Sequence, residues 1–261
     1  MRAKYDVIGK EYNTTRCADT FISEKLYQLL SPSNEGVYLD IGCGTGNYTH
    51  VLHQKGIKFI GVDPSFEMLR KANAQNPEID WRQGHAENTG LEPESVSGII
   101  GSLTIHHWLD LNTAFTELYR ILKPKGRIVI FTSTPKQMKG YWLNHYFPKM
   151  LANSIEQMPS LESVFKAILE AGFKELAGTP YYVQRDLQDL FLYCGKYNPS
   201  LYLRPEVRQG ISSFSSLANK EEVDAGLKKL KTDIATGKIE EVMASYKNDL
   251  GDYVFISAMK E

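Results

Sequence analysis

Cysteine is scarce in this chain: three residues, Cys17, Cys43 and Cys194, odd in number and far apart. No Cys-x-x-Cys pair or Cys/His cluster accompanies them, so neither a disulfide framework nor a zinc site is indicated. No apolar run approaches the roughly 18 residues that a membrane-spanning helix needs. An excess of one charge is also missing, with 30 Lys and Arg against 31 Asp and Glu and a net charge of -1. That balance leaves no electrostatic footprint for a nucleic-acid backbone or an anionic membrane surface. Residues 1–13 are polar and lack the apolar stretch of a signal peptide, which makes the cytoplasm the expected compartment. There is no internal repeat and no low-complexity tract.

What is present fits an ordinary folded domain: 261 residues, 42% hydrophobic and 23% charged, close to average usage. Ile22, Leu26, Leu29 and Leu30 recur at helical spacing, and turn formers from Ser31 to Gly36 end that helix. Strands and helices then alternate. Val37–Ile41, Lys58–Val62, Ile79–Arg82, Val96–Ser102 and Arg127–Phe131 read as strands, with helices over Asn47–Gln54, Ser65–Ala74 and Asp110–Leu122. Such alternation implies right-handed crossovers and a largely parallel sheet covered on both faces, a doubly wound α/β fold. Residues 137–171 read as helical, Phe173–Val183 as a sixth strand, 186–247 as helical and Tyr253–Met259 as a last strand. The expected organisation is one domain: an N-terminal helical cover over 1–36, an α/β core over 37–185, a helical cap over 186–249, and the last strand of the core sheet within 250–261.

The chemistry concentrates after the first strand, in Asp40-Ile41-Gly42-Cys43-Gly44-Thr45-Gly46-Asn47. A dinucleotide fingerprint places glycine at positions one, three and six. Here the third glycine falls at position five, and Asn47 occupies the sixth. Asp40, two residues before the first glycine, would repel a pyrophosphate but favour a ligand carrying an ammonium and a sulfonium. Asp63, at the tip of the second strand, stands where a ribose diol would be held. S-adenosylmethionine carries both features. Asp63 has a competing reading as the cap of the helix that begins near Ser65.

These residues resemble the class I S-adenosylmethionine-dependent methyltransferases, in particular the broad small-molecule group with a Rossmann-like sheet. The resemblance runs in order through Leu39–Gly46, Gly61-Val62-Asp63 with Met68, Gly84–Glu87, Ser102–Trp108 and Leu122–Arg127. It implies cofactor contacts from Asp40, Gly42, Cys43, Gly44 and Gly46 in the first loop, and from Asp63, Pro64 and Met68 after the second strand. His85, Ala86 and Glu87 would cap the adenine, and Ser102 would line the reaction centre. Tyr12–Arg16 resembles an N-terminal cover in which an arginine, here Arg16, meets a ligand carboxylate. The family often has an acid and a large apolar residue before the fourth strand; Ser97-Gly98 stands there instead.

His106 and His107, just past the fourth strand, are candidate general bases, since an imidazole can take a proton from an attacking hydroxyl or amine. The competing reading is that they only shape the pocket, with in-line positioning supplying the acceleration. Aromatics crowd the expected cap: Tyr141, Trp142, Tyr146 and Phe147, then Tyr181, Tyr182, Phe191, Tyr193, Tyr197 and Tyr202. Core packing accounts for most of them, and an apolar pocket for a small organic acceptor is the functional alternative. The expected reaction is methyl transfer to O, N or C of a small-molecule acceptor, with no metal and no nucleic-acid or membrane partner. Alternatives are a tRNA- or protein-directed methyltransferase, which would want a basic face or an amine-binding motif, and a cofactor-binding protein without turnover.

Overall fold

The computed structural model describes residues 15–33 and 35–261; Tyr12, Asn13 and Thr14 of the expected cover lie outside them. The elements run α1 (Thr20–Leu30), β1 (Val37–Ile41), α2 (Asn47–His53), β2 (Lys58–Asp63), α3 (Phe66–Gln75), β3 (Asp80–Gln83) and β4 (Val96–Ser102). There follow α4 (Leu111–Ile121), β5 (Leu122–Thr132), α5 (Pro135–Lys139), α6 (Pro148–Glu156), α7 (Leu161–Glu170) and β6 (Lys174–Tyr181). The chain closes through α8 (Pro205–Gln209), α9 (Lys220–Thr236), α10 (Ile239–Ser245) and β7 (Tyr253–Met259).

The seven strands form one sheet in the order β3-β2-β1-β4-β5-β7-β6. Strands β1 to β5 pair in parallel, and β7 runs antiparallel between β5 and β6. The chain order reverses between β1 and β4, so the crevice beyond their carboxyl ends is where an open α/β sheet takes its ligand.

Period-two alternation splits the core between the sheet's faces. Along β5, Val129 and Phe131 pack with Ile22 and Leu26 of α1 and with the aromatics of the 138–214 region. Ile128 and Ile130 point the other way, against Phe115 and Leu118 of α4 and Val164 and Ile168 of α7. Gly98 on β4 has a packing reason: a Cβ there would lie 2.8 Å from Leu30 Cδ1 and 2.8 Å from Tyr38 Cδ1. The docking of α1 onto the sheet thus explains why a small residue replaces the bulky one expected before strand four.

Local signals set most boundaries. Asp19, Ser65, Asp110 and Ser160 are N-caps whose side chains accept a backbone N–H two or three residues into the helix. Thr134 and Gln137 form a capping box, with Pro135 at the first helical position of α5.

Two expectations need correction. The 137–171 region is not continuous helix: α5, a 3₁₀ turn at Trp142–His145, α6 and α7 divide it. Pro148 restricts the residue before it, and Pro159 and Gly140 fall in the other gaps. The 186–247 region becomes regularly helical only from Lys220; before it lie turns, a 3₁₀ turn at Pro199–Leu203, the short α8 and a π-type turn at Ser213–Leu217. Pro199, Pro205, Gly195 and Gly210 interrupt this stretch; Phe191, Tyr193, Tyr202 and Phe214 are buried by tertiary packing rather than along a helical stripe, and Tyr197 is exposed. Residues 123–126 are looped out within β5: Leu122 pairs with Val96 and Arg127 with Gly98. Among the described residues no helix is long and apolar enough to cross a membrane.

Candidate active site

The loop after β1 folds back because its backbone is held by the neighbouring strand: Gly42 and Cys43 N–H both donate to the Val62 carbonyl, at 2.7 and 3.1 Å. Gly42 adopts φ +69, and a Cβ there would lie 1.9 Å from Thr104 Oγ1. Both conditions select glycine. At Gly44 (φ +57) a Cβ would meet nothing within 4 Å, so the loop presents bare backbone to open space. That space is a cavity at the β1/β4 crevice, lined by Arg16, Gly42–Thr45, Asn47, Tyr48, Asp63, Met68, Ser102–Thr104, His107 and Asp189.

Asp63 stands on this wall. Its Oδ2 accepts the Gly44 N–H at 2.9 Å and its Oδ1 the Ser65 N–H at 2.8 Å. The cap of α3 is Ser65, whose side chain accepts from Met68 N–H. Asp63 therefore couples the glycine loop to the start of α3 and is not the helix cap. Asp40 lies behind the loop, fully buried, with Thr49 Oγ donating to its Oδ2 at 2.5 Å. Burial, with a smaller contribution from nearby Asp63, outweighs the lowering effect of the Thr49 hydrogen bond and raises its pKa to about 7. The Cys43 thiol is likewise pushed up by burial and by both carboxylates, which removes it as a nucleophile.

The sequence-derived contacts thus separate. Arg16, Gly42, Cys43, Gly44, Asp63, Met68 and Ser102 come together on one cavity wall. Asp40, Gly46, Pro64, His85, Ala86 and Glu87 are not among its lining residues. Gly46 serves packing, since a Cβ there would lie 2.3 Å from the Trp81 ring. Ala86 is buried in the apolar cluster with Val62 and Ile105. His85 pairs backbone with Asn88 in a tight turn, and the Pro64 carbonyl accepts from Gln83 Nε2. Glu87 Oε1 accepts the Leu109 and Asp110 N–H groups, at 2.6 and 3.3 Å, and so fixes the entry to α4.

Thr45, Asn47, Tyr48, Leu103, Thr104 and Asp189 also line the cavity without having been singled out as contacts, and two of them bear on the site's geometry. Asp189 binds Arg16 through Nε–Oδ1 at 2.5 Å and Nη2–Oδ2 at 3.2 Å, and accepts from the Tyr48 hydroxyl at 3.2 Å. No sequence signal marks it, because 173 positions separate it from Arg16. Leu103 carries φ +54 just beyond β4, with its N–H on the Phe131 carbonyl at 2.7 Å. A left-handed leucine is a strained conformation of the kind that persists where a site requires it.

A second cavity adjoins the first, and Arg16 and Leu103 line both. Its walls include His106, Ser133, Met138, Tyr141, Ser154, Met158, Phe191, Ile211, Leu217 and Tyr253. The adjacent histidines, on the 3₁₀ turn Ile105–His107, have ring centroids 4.0 Å apart yet face different spaces, His107 the first cavity and His106 the second. Among the described residues no group of three or more His, Cys, Asp or Glu could hold a metal ion.

Comparison with known proteins agrees with this arrangement. The methyltransferase-domain family model matches residues 39–130, from β1 and the glycine loop through β5. The chain is 28% identical over 173 residues to a demethylmenaquinone methyltransferase of Chlorobaculum parvum, covering 59% of this chain and 72% of that protein. Its fold matches that of a geranyl diphosphate C-methyltransferase of Streptomyces coelicolor in complex with S-adenosyl-L-homocysteine, at TM-score 0.58 and 18% identity, over 93% of this chain and 76% of the other. A solved structure from Anabaena variabilis, described as a "putative methyltransferase from antibiotic biosynthesis pathway", is 35% identical with TM-score 0.85, over 94% of this chain and 99% of that one. A likeness of that extent, joined to the family match across the glycine loop, means that the chain is an enzyme and belongs to the class I S-adenosylmethionine-dependent methyltransferases of the small-molecule group.

Proposed function

We propose that this chain binds S-adenosylmethionine in the cavity at the β1/β4 crevice and methylates O, N or C of a small molecule held in the adjoining cavity. The observation that carries this reading is the shared wall: Arg16 and Leu103 border both spaces, so two ligands can meet there. The residues present fit the cofactor. Gly44 leaves open room beside the backbone, Asp63 places a carboxylate on the wall, and buried Ser102 Oγ has no hydrogen-bond partner among the described residues. Asp63 would hold the ribose diol, Met68 would pack beside it, and Asp40 would bias the site toward a cation from behind the loop. The cofactor when bound supplies an electrophilic methyl group on a good leaving sulfur. The protein then has to bring the acceptor atom into line, exclude water and take up a proton where the acceptor loses one.

His106, on the wall of the second cavity, is positioned to take that proton, while His107 belongs to the cofactor side. We read residues 135–158 and the β6–β7 connection together as the cap over the acceptor. Its ties to the sheet support this reading. Gln137 Nε2 donates to the Tyr253 carbonyl at the start of β7 and to the Leu250 carbonyl of the connection, and Lys196 Nζ pairs with Asp252 at 2.6 Å within that connection. The quinone named for the Chlorobaculum parvum enzyme supports a ring-bearing acceptor.

Thermal unfolding tests the cofactor assignment. A ligand that binds only the folded state, at 100 times its Kd, stabilises by about 2.7 kcal/mol. For a chain of this size each kcal/mol raises Tm by roughly 2–4 °C. S-adenosylmethionine and S-adenosylhomocysteine should each raise Tm by several degrees and NAD should not; a shift with NAD alone overturns the assignment.

The geometry of Asp63 sharpens a second expectation. Asp63→Ala should weaken S-adenosylhomocysteine binding by roughly 1.5–3 kcal/mol, the range for hydrogen bonds to a charged group. Asp63→Asn should lose nearly as much, because an amide offers one acceptor oxygen where Gly44 and Ser65 present two N–H donors. Calorimetric titration decides it. A near-wild-type Asn variant would leave Asp63 as a support of the loop backbone and not a holder of the ligand.

A further inference from the structure

We infer that Asp189 determines the charge class of the acceptor: by holding Arg16 it leaves the second cavity without an available charge of either sign and restricts it to uncharged molecules. The inference rests on the proposed division of the two cavities. Among the described residues lining the second cavity, Arg16 alone carries a permanent charge. Its guanidinium meets Asp189 at two points, Nε to Oδ1 at 2.5 Å and Nη2 to Oδ2 at 3.2 Å. A planar fork set against a carboxylate edge in this way is a strong and directional contact. The Asp189 side chain is 2% exposed, and the Tyr48 hydroxyl donates to its Oδ2 at 3.2 Å, which fixes the carboxylate from a second side. Asp189 lines the first cavity but is not among the lining residues of the second. It therefore neutralises Arg16 without presenting its own charge to the acceptor.

The rest of the wall offers no substitute. No Lys, Asp or Glu is among the described residues that line the second cavity, so an ammonium would enter without a counter-charge. Hydroxyls that could receive an anion are already committed within the protein. Ser133 and Tyr141 donate to the Asp252 carbonyl, and Ser154 donates to the Met150 carbonyl at 2.9 Å. Burial pushes the hydroxyls of Tyr141 and Tyr253 up, so both stay phenols and add no negative charge. A carboxylate or phosphate would have to take Arg16 from Asp189 and leave that carboxylate unpaired, or else remain without donors. Either outcome is more costly than bringing in a neutral molecule. The apolar remainder of the wall, Met138, Met158, Phe191, Leu192, Ile211 and Leu217, gives such a molecule its contacts.

Three probes on one ring system test this: 2-naphthol, 2-naphthoate and 2-naphthylmethylamine, which are neutral, anionic and cationic near neutral pH. Their binding is measured calorimetrically on protein saturated with S-adenosylhomocysteine. Wild type should bind the naphthol about tenfold or more tightly than either ion. Asp189→Asn keeps the size of the side chain and one acceptor oxygen but removes its charge, which releases Arg16 to an anion. Naphthoate should then gain about tenfold while naphthol stays within about threefold. Adding Arg16→Met should cancel that gain, a result that a merely structural role of Asp189 does not produce. Naphthoate or ammonium binding as tight as that of naphthol in wild type overturns the inference, as does an unchanged naphthoate affinity in Asp189→Asn. So does the absence of binding by all three probes. If Asp189→Asn does not fold, Arg16→Met with Asp189→Leu decides the point. Naphthoate should bind this pair-free protein as weakly as wild type, and an affinity about tenfold lower would show Arg16 already open to anions and overturn the inference. Should S-adenosylhomocysteine itself fail to bind, the reading of the first cavity falls alone, and the same series on the unliganded protein still decides what the second cavity takes.

Discussion

Replacing His106 with alanine is expected to lower turnover by about 10²–10⁴-fold, the usual contribution of a positioned general base. Affinity for S-adenosylhomocysteine should stay within a few-fold of wild type. The division of the two imidazoles underlies both halves of this expectation. His106 lines the acceptor cavity and His107 the cofactor cavity, although their rings are only 4.0 Å apart. His107→Ala should accordingly show the opposite pattern, a loss that falls more on cofactor affinity than on the chemical step. An imidazole accepts a proton only when neutral, so the wild-type rate should rise with increasing pH and that rise should vanish in the His106 variant. Single-turnover measurement at saturating acceptor separates chemistry from product release. A flat wild-type profile, with both variants active within a few-fold, would leave transfer to in-line positioning alone.

The sequence carried the sheet well, because its signals are local. Val37–Ile41, Val96–Ser102 and Tyr253–Met259 are observed with the bounds their apolar patterns predict, since each is a short run closed by turn formers. The glycine loop was legible for the same reason: three positive-φ glycines between a strand and a helix leave a compositional trace. The region from 186 to 219 was not legible as it stands. Its apolar residues read as helical spacing, yet Phe191, Tyr193, Tyr202 and Phe214 are buried because they pack together with Trp142 and Phe147. Tertiary contact among aromatics overrode a weak local pattern there. The candidate site shows the same divide. Residues adjacent in sequence to a strand end, Gly42, Asp63 and Ser102 among them, line the cavity, whereas residues 84–87 are not among its lining residues and form a turn in which Glu87 accepts the Leu109 and Asp110 N–H groups. Asp189 could not have been found at all, since its meaning depends on a partner at the other end of the chain.

That distant pair carries the second large expectation. Arg16 and Asp189 have side chains 13% and 2% exposed, so the contact is an ion pair within the protein rather than a solvent-screened one. Asp189→Ala removes a carboxylate that the Arg16 guanidinium contacts twice, and the acceptor for the Tyr48 hydroxyl. Breaking a fully buried pair from one side destabilises by roughly 3–5 kcal/mol, which sets the upper end of the expected loss at this part-buried contact. At roughly 2–4 °C per kcal/mol this bounds the fall in Tm at about 6–20 °C. The same pair fixes the segment ahead of α1 to the loop at 188–190, alongside the Leu190 N–H on the Thr15 carbonyl at 3.2 Å and the Thr20 contacts to Gln188. It also stands beside the glycine loop, since Asn47 Nδ2 donates to the Arg16 carbonyl at 3.0 Å. Asp189→Ala should therefore weaken S-adenosylhomocysteine binding as well as stability, at a site the substitution need not touch directly. Replacing both partners with apolar residues of similar volume, Arg16→Met with Asp189→Leu, should restore much of the stability, because no buried charge is left unpaired. It should not restore cofactor affinity if Arg16 also serves the bound ligand. The double variant thus separates the two roles of one arginine: thermal unfolding reports the pair, and calorimetric titration reports the ligand. A stability loss below about 1 kcal/mol in Asp189→Ala would place the pair with exposed surface bridges, which contribute little, and would remove it as the element that closes the site.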